Sequence, residues 1–130
     1  MENKYILVIS GTLQALKLFL NIVERSEVEK LHEDFCSIIA EKRFWKFAKC
    51  KEAQIRGSWY ALMSCLCQNI HGIFSTMENK LATTVFSSLS ESDPIVAPSI
   101  WEAALSIVVN FEVRLVYYYQ LIEIPIFIKF

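Results

Sequence analysis

Two stretches of the chain repeat each other's apolar pattern about 41 residues apart. When Ile55 is laid on Val96, further apolar positions coincide at helical spacing. These pairs are Trp59 with Ile100, Tyr60 with Trp101, Met63 with Ala104 and Cys67 with Val108. A period near 40 residues is typical of stacked helix pairs of the HEAT or armadillo kind. Because such arrays bind partners along a curved surface, the repeat favours a scaffold over an enzyme.

The composition favours one well-buried helical domain. Of the 130 residues, 54% are hydrophobic, and only three are glycine and three proline. The net charge of -1 gives no overall reason to expect nucleic acid or an anionic membrane, so any electrostatic function must be local. The four cysteines form no CxxC pair, and we interpret them as reduced thiols of a cytosolic protein.

The opening stretch, residues 5–20, has the apolar bias of a signal peptide. However, Glu2 precedes it, Gln14 and Lys17 interrupt it, and no small-residue cleavage site follows. We therefore predict an amphipathic helix there. No other window is free of charged or strongly polar side chains over 18 residues, so the sequence predicts no membrane span and no membrane partner.

Apolar residues at steps of three and four predict about five helices. The predicted ranges are 3–24, 26–41, 52–70 and 81–89, with a fifth helix beginning at Pro98. Ser26 and Glu29 match a capping box at the start of the second helix. Short connections between such helices indicate antiparallel neighbours.

Turn signals separate the later helices. Gly72 follows the third helix, and the pair Asp93 and Pro94 precedes the fifth. The predicted architecture is an all-α, HEAT/armadillo-like helical repeat, that is, an α-solenoid fragment of about five helices over residues 1–112. Residues 113–130 are predicted to form an irregular apolar tail outside the repeat.

Three side chains suggest a metal site, namely Cys65, Cys67 and His71. Cys65 and Cys67 are two residues apart on a predicted helix and therefore point to different faces, whereas Cys67 and His71 share one. Packing is the simpler interpretation, since free cysteine usually behaves as a small buried hydrophobe. The sequence contains no other pattern typical of catalysis, so a zinc-dependent enzyme rests on these three residues alone.

One local concentration of charge stands out. Six of the 13 basic residues lie within fifteen positions, interleaved with Phe44, Trp45 and Phe47. They are Lys42, Arg43, Lys46, Lys49, Lys51 and Arg56. With Trp45, they are our candidate binding residues, because cations neutralise phosphates and aromatic rings stack on bases. The alternative is a solvated loop whose aromatic rings pack inward.

For Arg56 and for the three tryptophans, the sequence also predicts a role in holding the fold together. Arg56 is placed to pair with Glu91 or Asp93 in the turn of the neighbouring repeat. The tryptophans Trp45, Trp59 and Trp101 are predicted to anchor helix packing, because each carries a large apolar area.

Particular motifs carry a resemblance to a known family. They are Phe44-Trp45-Lys46, Gln54-Ile55-Arg56, Cys67-Gln68, the run 92–96, and Trp101-Glu102-Ala103. Through these motifs the segment from Glu41 to Glu112 resembles the N-terminal region of the listerin family, the large ubiquitin ligases of ribosome-associated quality control. Residues 1–40 match this family in helical character only.

The resemblance implies a piece of a long HEAT-like solenoid in the cytosol. Its partners would be the large ribosomal subunit and the nuclear export mediator factor that marks stalled nascent chains. The ligase activity of the family resides in a zinc-binding RING domain, which needs eight Cys and His ligands, whereas this chain has four cysteines and two histidines. No catalytic or zinc-binding residue is therefore carried over, and no cofactor is expected in this chain.

The tail departs from the helical pattern of the family. It is rich in β-branched and aromatic residues and loses the apolar stripe. We interpret residues 113–130 as a truncated or mis-spliced terminus, the alternative being a segment that covers the end of the stack. The rival to the ribosomal interpretation of the whole chain is a stand-alone helical protein–protein interaction module unrelated to ribosomes.

Overall fold

The computed structural model describes residues 2–70 and 72–111, and all regular secondary structure within these ranges is helical. The helices are α1 (Glu2–Ile22), α2 (Arg25–Lys30), α3 (His32–Ala40), α4 (Lys42–Lys46), α5 (Ala53–Asn69), α6 (Glu78–Phe86) and α7 (Ala97–Asn110). A 3₁₀ turn, Phe47–Lys49, follows α4. The predicted all-α class is confirmed, although the described chain has seven α-helices rather than about five.

The second predicted helix is wrong as a single element. It is two helices, α2 and α3, which meet at Leu31. The Leu31 N–H donates to Val28 O at 3.0 Å, so a three-residue step interrupts the regular four-residue pattern. The predicted capping box is also wrong, because Ser26 lies inside α2 and Glu24, at the N-cap, makes no side-chain capping hydrogen bond.

Two further boundaries differ from the prediction. The basic segment, for which no helix is predicted, is helical over α4 and the 3₁₀ turn. The fourth predicted helix ends at Phe86 rather than Leu89, and turns follow it. Its apolar side chains do pack as expected, since Leu81 and Val85 are fully buried.

The predicted turn signals are borne out. Gly72 has a φ of 74°, in the left-handed region that glycine adopts without steric cost. Asp93 Oδ1 accepts a hydrogen bond of 2.9 Å from the Ile95 N–H, which closes a turn directly before α7. Pro98 lies in the first turn of α7, where a missing N–H costs nothing.

Helices α1, α5 and α7 lie side by side and run in the same direction. Between α1 and α5, Ser10 meets Ser58 at 3.2 Å, and further along both helices the Cys65 thiol donates to Asn21 Oδ1 at 3.3 Å. Between α5 and α7, the Ser64 hydroxyl donates to Glu102 O at 3.4 Å, and one turn further along both helices Gln68 Nε2 donates to Ser106 Oγ at 2.9 Å. Because both contact series rise together in residue number, the three helices are parallel, with α5 in the middle.

The core surrounds α5. Eleven of its 17 residues are buried, on several faces at once, because α1 and α7 flank it and the shorter helices pack behind it. Trp59, Met63 and Leu66 have no exposed surface at all. This burial explains why the strongest apolar stripe of the sequence belongs to this helix.

Helix α1 is only partly covered. Leu13 and Leu20 are buried in the core, whereas Tyr5, Val8 and Ile22 are exposed. Within the described chain, the segment Lys4–Ile22 is the one helix long and apolar enough to cross a membrane by length and composition, with a mean hydropathy of 1.5. Of that window, 17% is buried, and α1 packs along α5. The apolar tail predicted for residues 113–130 lies outside the described residues.

Candidate functional site

The basic segment is anchored by an aromatic cluster. Phe44 and Trp45 of α4 point inward, and their ring centroids lie 5.8 and 5.5 Å from that of Trp59. The Tyr60 ring packs edge-on against Trp59 at 5.0 Å. Such edge-to-face pairs stabilise a core beyond the apolar area that they bury. The cluster therefore fixes α4 rigidly on α5.

Trp45 is held by polar contacts as well as by packing. Its indole N–H donates to Ile39 O at 2.6 Å, which closes the junction between α3 and α4. On the ring face, Lys80 Nζ lies 4.6 Å from the centroid, a cation–π contact. Lys80 thereby brings a further cation from α6 to the edge of the basic segment, and the sequence spacing gave no sign of this.

Five cations of the basic segment point into solvent. They are Lys42, Arg43, Lys46, Lys49 and Lys51. Within residues 2–70 and 72–111, the ion pairs are Lys30 with Glu27 and Arg56 with Glu91, so none of the five is neutralised by a carboxylate there. We call these five side chains the basic surface. Four of them lie on α4 and the 3₁₀ turn, Lys51 follows two residues later, and no carboxylate of the described residues pairs with any of the five.

Arg56 differs from its basic neighbours. Its guanidinium contacts Glu91 Oε1 through both Nε and Nη2 at 3.0 Å, and Nη1 donates to Cys50 O at 2.8 Å. The two charged side chains are only 17% and 22% exposed. The predicted pairing with Glu91 is confirmed, and Arg56 ties the start of α5 to the loop before α7.

The residues considered for a metal site are not gathered together in the described chain. The Cys65 side chain faces α1, where its thiol donates to Asn21 Oδ1. The Cys67 thiol is buried, and this burial raises its pKa to about 12. A thiol that holds its proton so firmly is a poor nucleophile. No three His, Cys, Asp or Glu side chains within residues 2–70 and 72–111 lie close enough to share a metal ion. His71 lies outside the described residues.

Two clusters of serine and glutamine join the three parallel helices. In the first, Gln14 Nε2 lies 3.3 Å from both Ser10 Oγ and Ser58 Oγ. In the second, Gln68 Nε2 donates to Ser64 Oγ at 3.2 Å and Ser106 Oγ at 2.9 Å. Each cluster satisfies buried hydroxyl groups that would otherwise destabilise the interface.

Sequence reasoning missed both clusters. Each contains a serine and a glutamine four residues apart on one helix, a spacing that places both side chains on one face. That spacing was visible at Ser10 and Gln14 and again at Ser64 and Gln68. The serines on the facing helices, Ser58 and Ser106, gave no separate signal, because a lone serine inside an apolar stripe is uninformative.

Comparison with known proteins shows which family the chain resembles. A family model described as the N-terminal domain of the E3 ubiquitin-protein ligase listerin matches residues 1–120. The match therefore includes residues 1–40, as well as the segment that carries the quoted motifs. It also reaches eight residues into the apolar tail.

Curated relatives agree with the family model. The chain is 35% identical to E3 ubiquitin-protein ligase listerin of Mus musculus over 104 residues, or 80% of this chain. It is 34% identical to listerin of Xenopus tropicalis over 111 residues, and 28% identical to listerin of Drosophila melanogaster over 113 residues, in each case 85% of this chain. The chain spans only 6% of the length of each of these relatives. No solved structure matches it significantly.

Proposed function

Because the chain belongs to the listerin family of E3 ubiquitin-protein ligases, we propose that it is a scaffold that helps to dock such a ligase on the large ribosomal subunit. The basic surface contacts ribosomal RNA phosphates. The nuclear export mediator factor is a neighbouring partner, and the complex is cytosolic. Ubiquitin transfer belongs to a RING domain elsewhere in the ligase.

The observation that carries this proposal is the basic surface itself. Five cations project from α4, the 3₁₀ turn and the residues just after it, and no carboxylate of the described chain neutralises them. Phosphate binding needs such free cations, because each neutralised phosphate releases condensed counterions. The inward-facing Phe44 and Trp45 contribute rigidity, and Lys80 extends the charge onto α6.

The parallel packing of α1, α5 and α7 supports the finer architecture that we propose, a HEAT-like solenoid. The helices α5 and α7 carry the repeat of about 41 residues and lie next to each other in the same orientation. In a solenoid, each repeat places its equivalent helix in this way. The solenoid then presents the basic surface along one edge.

The test is co-sedimentation of this chain with purified large ribosomal subunits over a series of salt concentrations. We expect the double variant Lys46→Glu/Lys49→Glu to bind more weakly than wild type. The slope of log affinity against log salt should fall by about one for each phosphate contact removed.

A matched control variant distinguishes the loss of a local contact from the effect of a changed net charge. The double variant Lys4→Glu/Lys30→Glu changes the net charge by the same amount, at two exposed positions that are not part of the basic surface. It should retain the binding and the salt dependence of the wild type. Equal losses in both variants, or no loss in either, would contradict the docking proposal.

The second candidate function is a stand-alone protein–protein interaction module. It is favoured by the exposed apolar side chains of α1 and α7, which include Ile22 and Val109. Under this alternative, neither double variant affects ribosome binding, because the chain does not sediment with ribosomal subunits at all.

A further inference from the structure

The segment that follows α6 lies against the 3₁₀ turn of the basic segment. Tyr60 of α5 connects the two, because its hydroxyl lies 2.9 Å from Ser88 Oγ and 3.4 Å from Ala48 O. The Tyr60 ring is fixed in the aromatic cluster, so this connection holds both segments in place.

A second connection runs from the Arg56 guanidinium to the Glu91 carboxylate and to Cys50 O. Lys49 directly precedes Cys50, and Ser90 directly precedes Glu91, so Lys49 and Ser90 lie between the two connections. Both side chains line one open hollow of about 390 Å³. Because a lysine side chain is long and flexible, its ammonium can reach a group added to the Ser90 hydroxyl.

Ser90 also has the sequence context that an acid-directed kinase selects. In the sequence, only Ser26 and Ser90 have an acidic residue at both the first and the third following position. Kinases distinguish their substrates by such charge patterns. Ser26 lies inside α2, whereas Ser90 is exposed and residues 91–93 have no regular secondary structure. Because a kinase binds its substrate as an extended segment, the structure favours Ser90.

Ser88 is the neighbouring competitor, because Glu91 follows it at the third position. Its hydroxyl is already engaged, since it donates to Thr84 O at 2.8 Å and accepts from Tyr60. The Ser88 side chain is half-buried, whereas that of Ser90 is exposed. The fold therefore hides Ser88 and presents Ser90.

We propose that Ser90 is a phosphorylation site of an acid-directed serine kinase, and that its phosphate pairs with Lys49. In the reaction, Ser90 Oγ attacks the γ-phosphorus of ATP, its proton passes to a base of the kinase, and ADP leaves. The product carries a charge of about −1.5 to −2 and three acceptor oxygens. These oxygens accept charge-assisted hydrogen bonds from the Lys49 ammonium. Glu91 does not oppose this, because Arg56 already neutralises its carboxylate.

Phosphorylation of Ser90 changes the basic surface, because Lys49 is one of its five cations. The pairing removes this cation, and the remaining negative charge repels an approaching phosphate. Docking on ribosomal RNA is therefore weakened, a consequence that rests on the proposed function.

The site is tested by incubating the intact chain with ATP and a purified kinase that selects serines followed by carboxylates. Mass spectrometry should place a phosphate on Ser90, and Ser90→Ala should abolish incorporation into this segment. The control Ser87→Ala changes an exposed serine with no acidic residue three positions on, and it should leave the rate unchanged.

The acidic determinant is tested with Asp93→Asn. Asparagine keeps the side-chain oxygen that accepts from the Ile95 N–H, so the turn is preserved while the charge is lost. Phosphorylation of Ser90 should become about fivefold slower, which corresponds to the loss of one exposed charge pair. The proposal is overturned by an unchanged rate, by the absence of phosphate on Ser90, or by equal phosphorylation of Ser88 and Ser90.

The pairing with Lys49 has its own readout, the second pKa of the phosphate, which is ordinarily about 6. A neighbouring cation stabilises the dianion and so lowers this pKa. Phosphorus NMR over a pH titration should give a pKa about 0.5 lower in the phosphorylated wild type than in phosphorylated Lys49→Gln. Lys42→Gln, at an exposed lysine that does not line the hollow, should match wild type. Equal pKa values in wild type and Lys49→Gln would exclude the pairing.

Co-sedimentation with large ribosomal subunits tests the consequence for docking. The phosphorylated chain should bind more weakly, with a salt slope lower by about one. Unchanged binding after phosphorylation, where Lys46→Glu/Lys49→Glu does weaken binding, would overturn the regulation and leave the docking proposal intact. Failure of the unphosphorylated chain to sediment would instead overturn the docking proposal and its regulation, whereas mass spectrometry and NMR still decide the site and its pairing.

Discussion

Burial keeps the Cys67 thiol protonated, so that this side chain serves as a packing group of the core. Its thiol is 7% exposed, and desolvation raises its pKa from 9.0 to about 12. In the unfolded chain, the thiol ionises near its ordinary pKa, whereas in the folded chain it stays protonated. We therefore predict that the free energy of unfolding is unaffected by this group below pH 9 and falls as the pH rises from 9 towards 12.

This prediction is checked by urea unfolding at several pH values between 7 and 11. The control is Cys67→Ala, which cannot ionise and should show a shallower decline. Some decline will remain, because desolvation raises the pKa of Tyr60 and this acts in the same direction. Identical pH profiles for wild type and Cys67→Ala would contradict the assignment.

The sequence predicted the role of a residue where its charge or size left few environments in which it could be placed. That Arg56 pairs with either Glu91 or Asp93 followed from a cation near the start of one repeat helix and carboxylates in the turn of the next, and the structure selects Glu91. The inward orientation of Trp59 followed from its place in an apolar stripe. The clusters around Gln14 and Gln68 did not follow, because the register between helices decides which serine a glutamine meets.

At the level of helices, Gly57 sets how closely α5 approaches the turn directly before α7. A Cβ atom built at this position would lie 3.0 Å from Ile95 O, which belongs to the backbone and cannot rotate away. We predict that Gly57→Ala lowers the free energy of unfolding by about 1–3 kcal/mol through overpacking, despite the better helix propensity of alanine. Urea unfolding monitored by circular dichroism measures the effect.

The matched control is Gly11→Ala in the interior of α1. A Cβ atom there has no atom within 4 Å, so the substitution should stabilise the chain by about 0.5–1 kcal/mol. Opposite signs for the same substitution would establish that close packing, and not propensity, requires Gly57. A stabilising Gly57→Ala would contradict the observed approach of α5 to the turn before α7.

The helices differ in how well their sequence determined them. The long ones are the best determined: α1 and α5 begin and end, and α7 begins, close to the predicted residues, because each carries an apolar stripe. The break at Leu31 was missed, since a three-residue step leaves the apolar pattern almost unchanged. The sequence predicts no helix at α4, because five residues are too few for a periodic signal. Tertiary contacts of Phe44 and Trp45 stabilise this helix.

At the scale of the whole molecule, the aromatic cluster around Trp59 joins α4 to α5 at the centre of the core. Trp59 has no exposed surface and contacts three other aromatic rings. We predict that Trp59→Ala costs about 3–5 kcal/mol, a large fraction of the roughly 5–15 kcal/mol that stabilises a typical domain. Thermal unfolding followed by circular dichroism should show a much lower Tm.

The control is Trp59→Phe, which keeps most of the packing. The Trp59 indole N–H is buried without a hydrogen-bond partner among the described residues, so phenylalanine also removes an unsatisfied polar group. We expect Trp59→Phe to cost less than half as much as Trp59→Ala. Similar losses for the two variants would mean that the cluster depends on the indole shape rather than on aromatic packing.

The sequence by itself determined the helical class, the family and the apolar faces, because periodicity and motifs are local properties of the chain. It also located the basic segment, since charge is visible in composition. Only the tertiary structure decided which cations remain unpaired, which serines each glutamine meets and which apolar side chains stay exposed. These properties depend on distances between helices whose register no local pattern records.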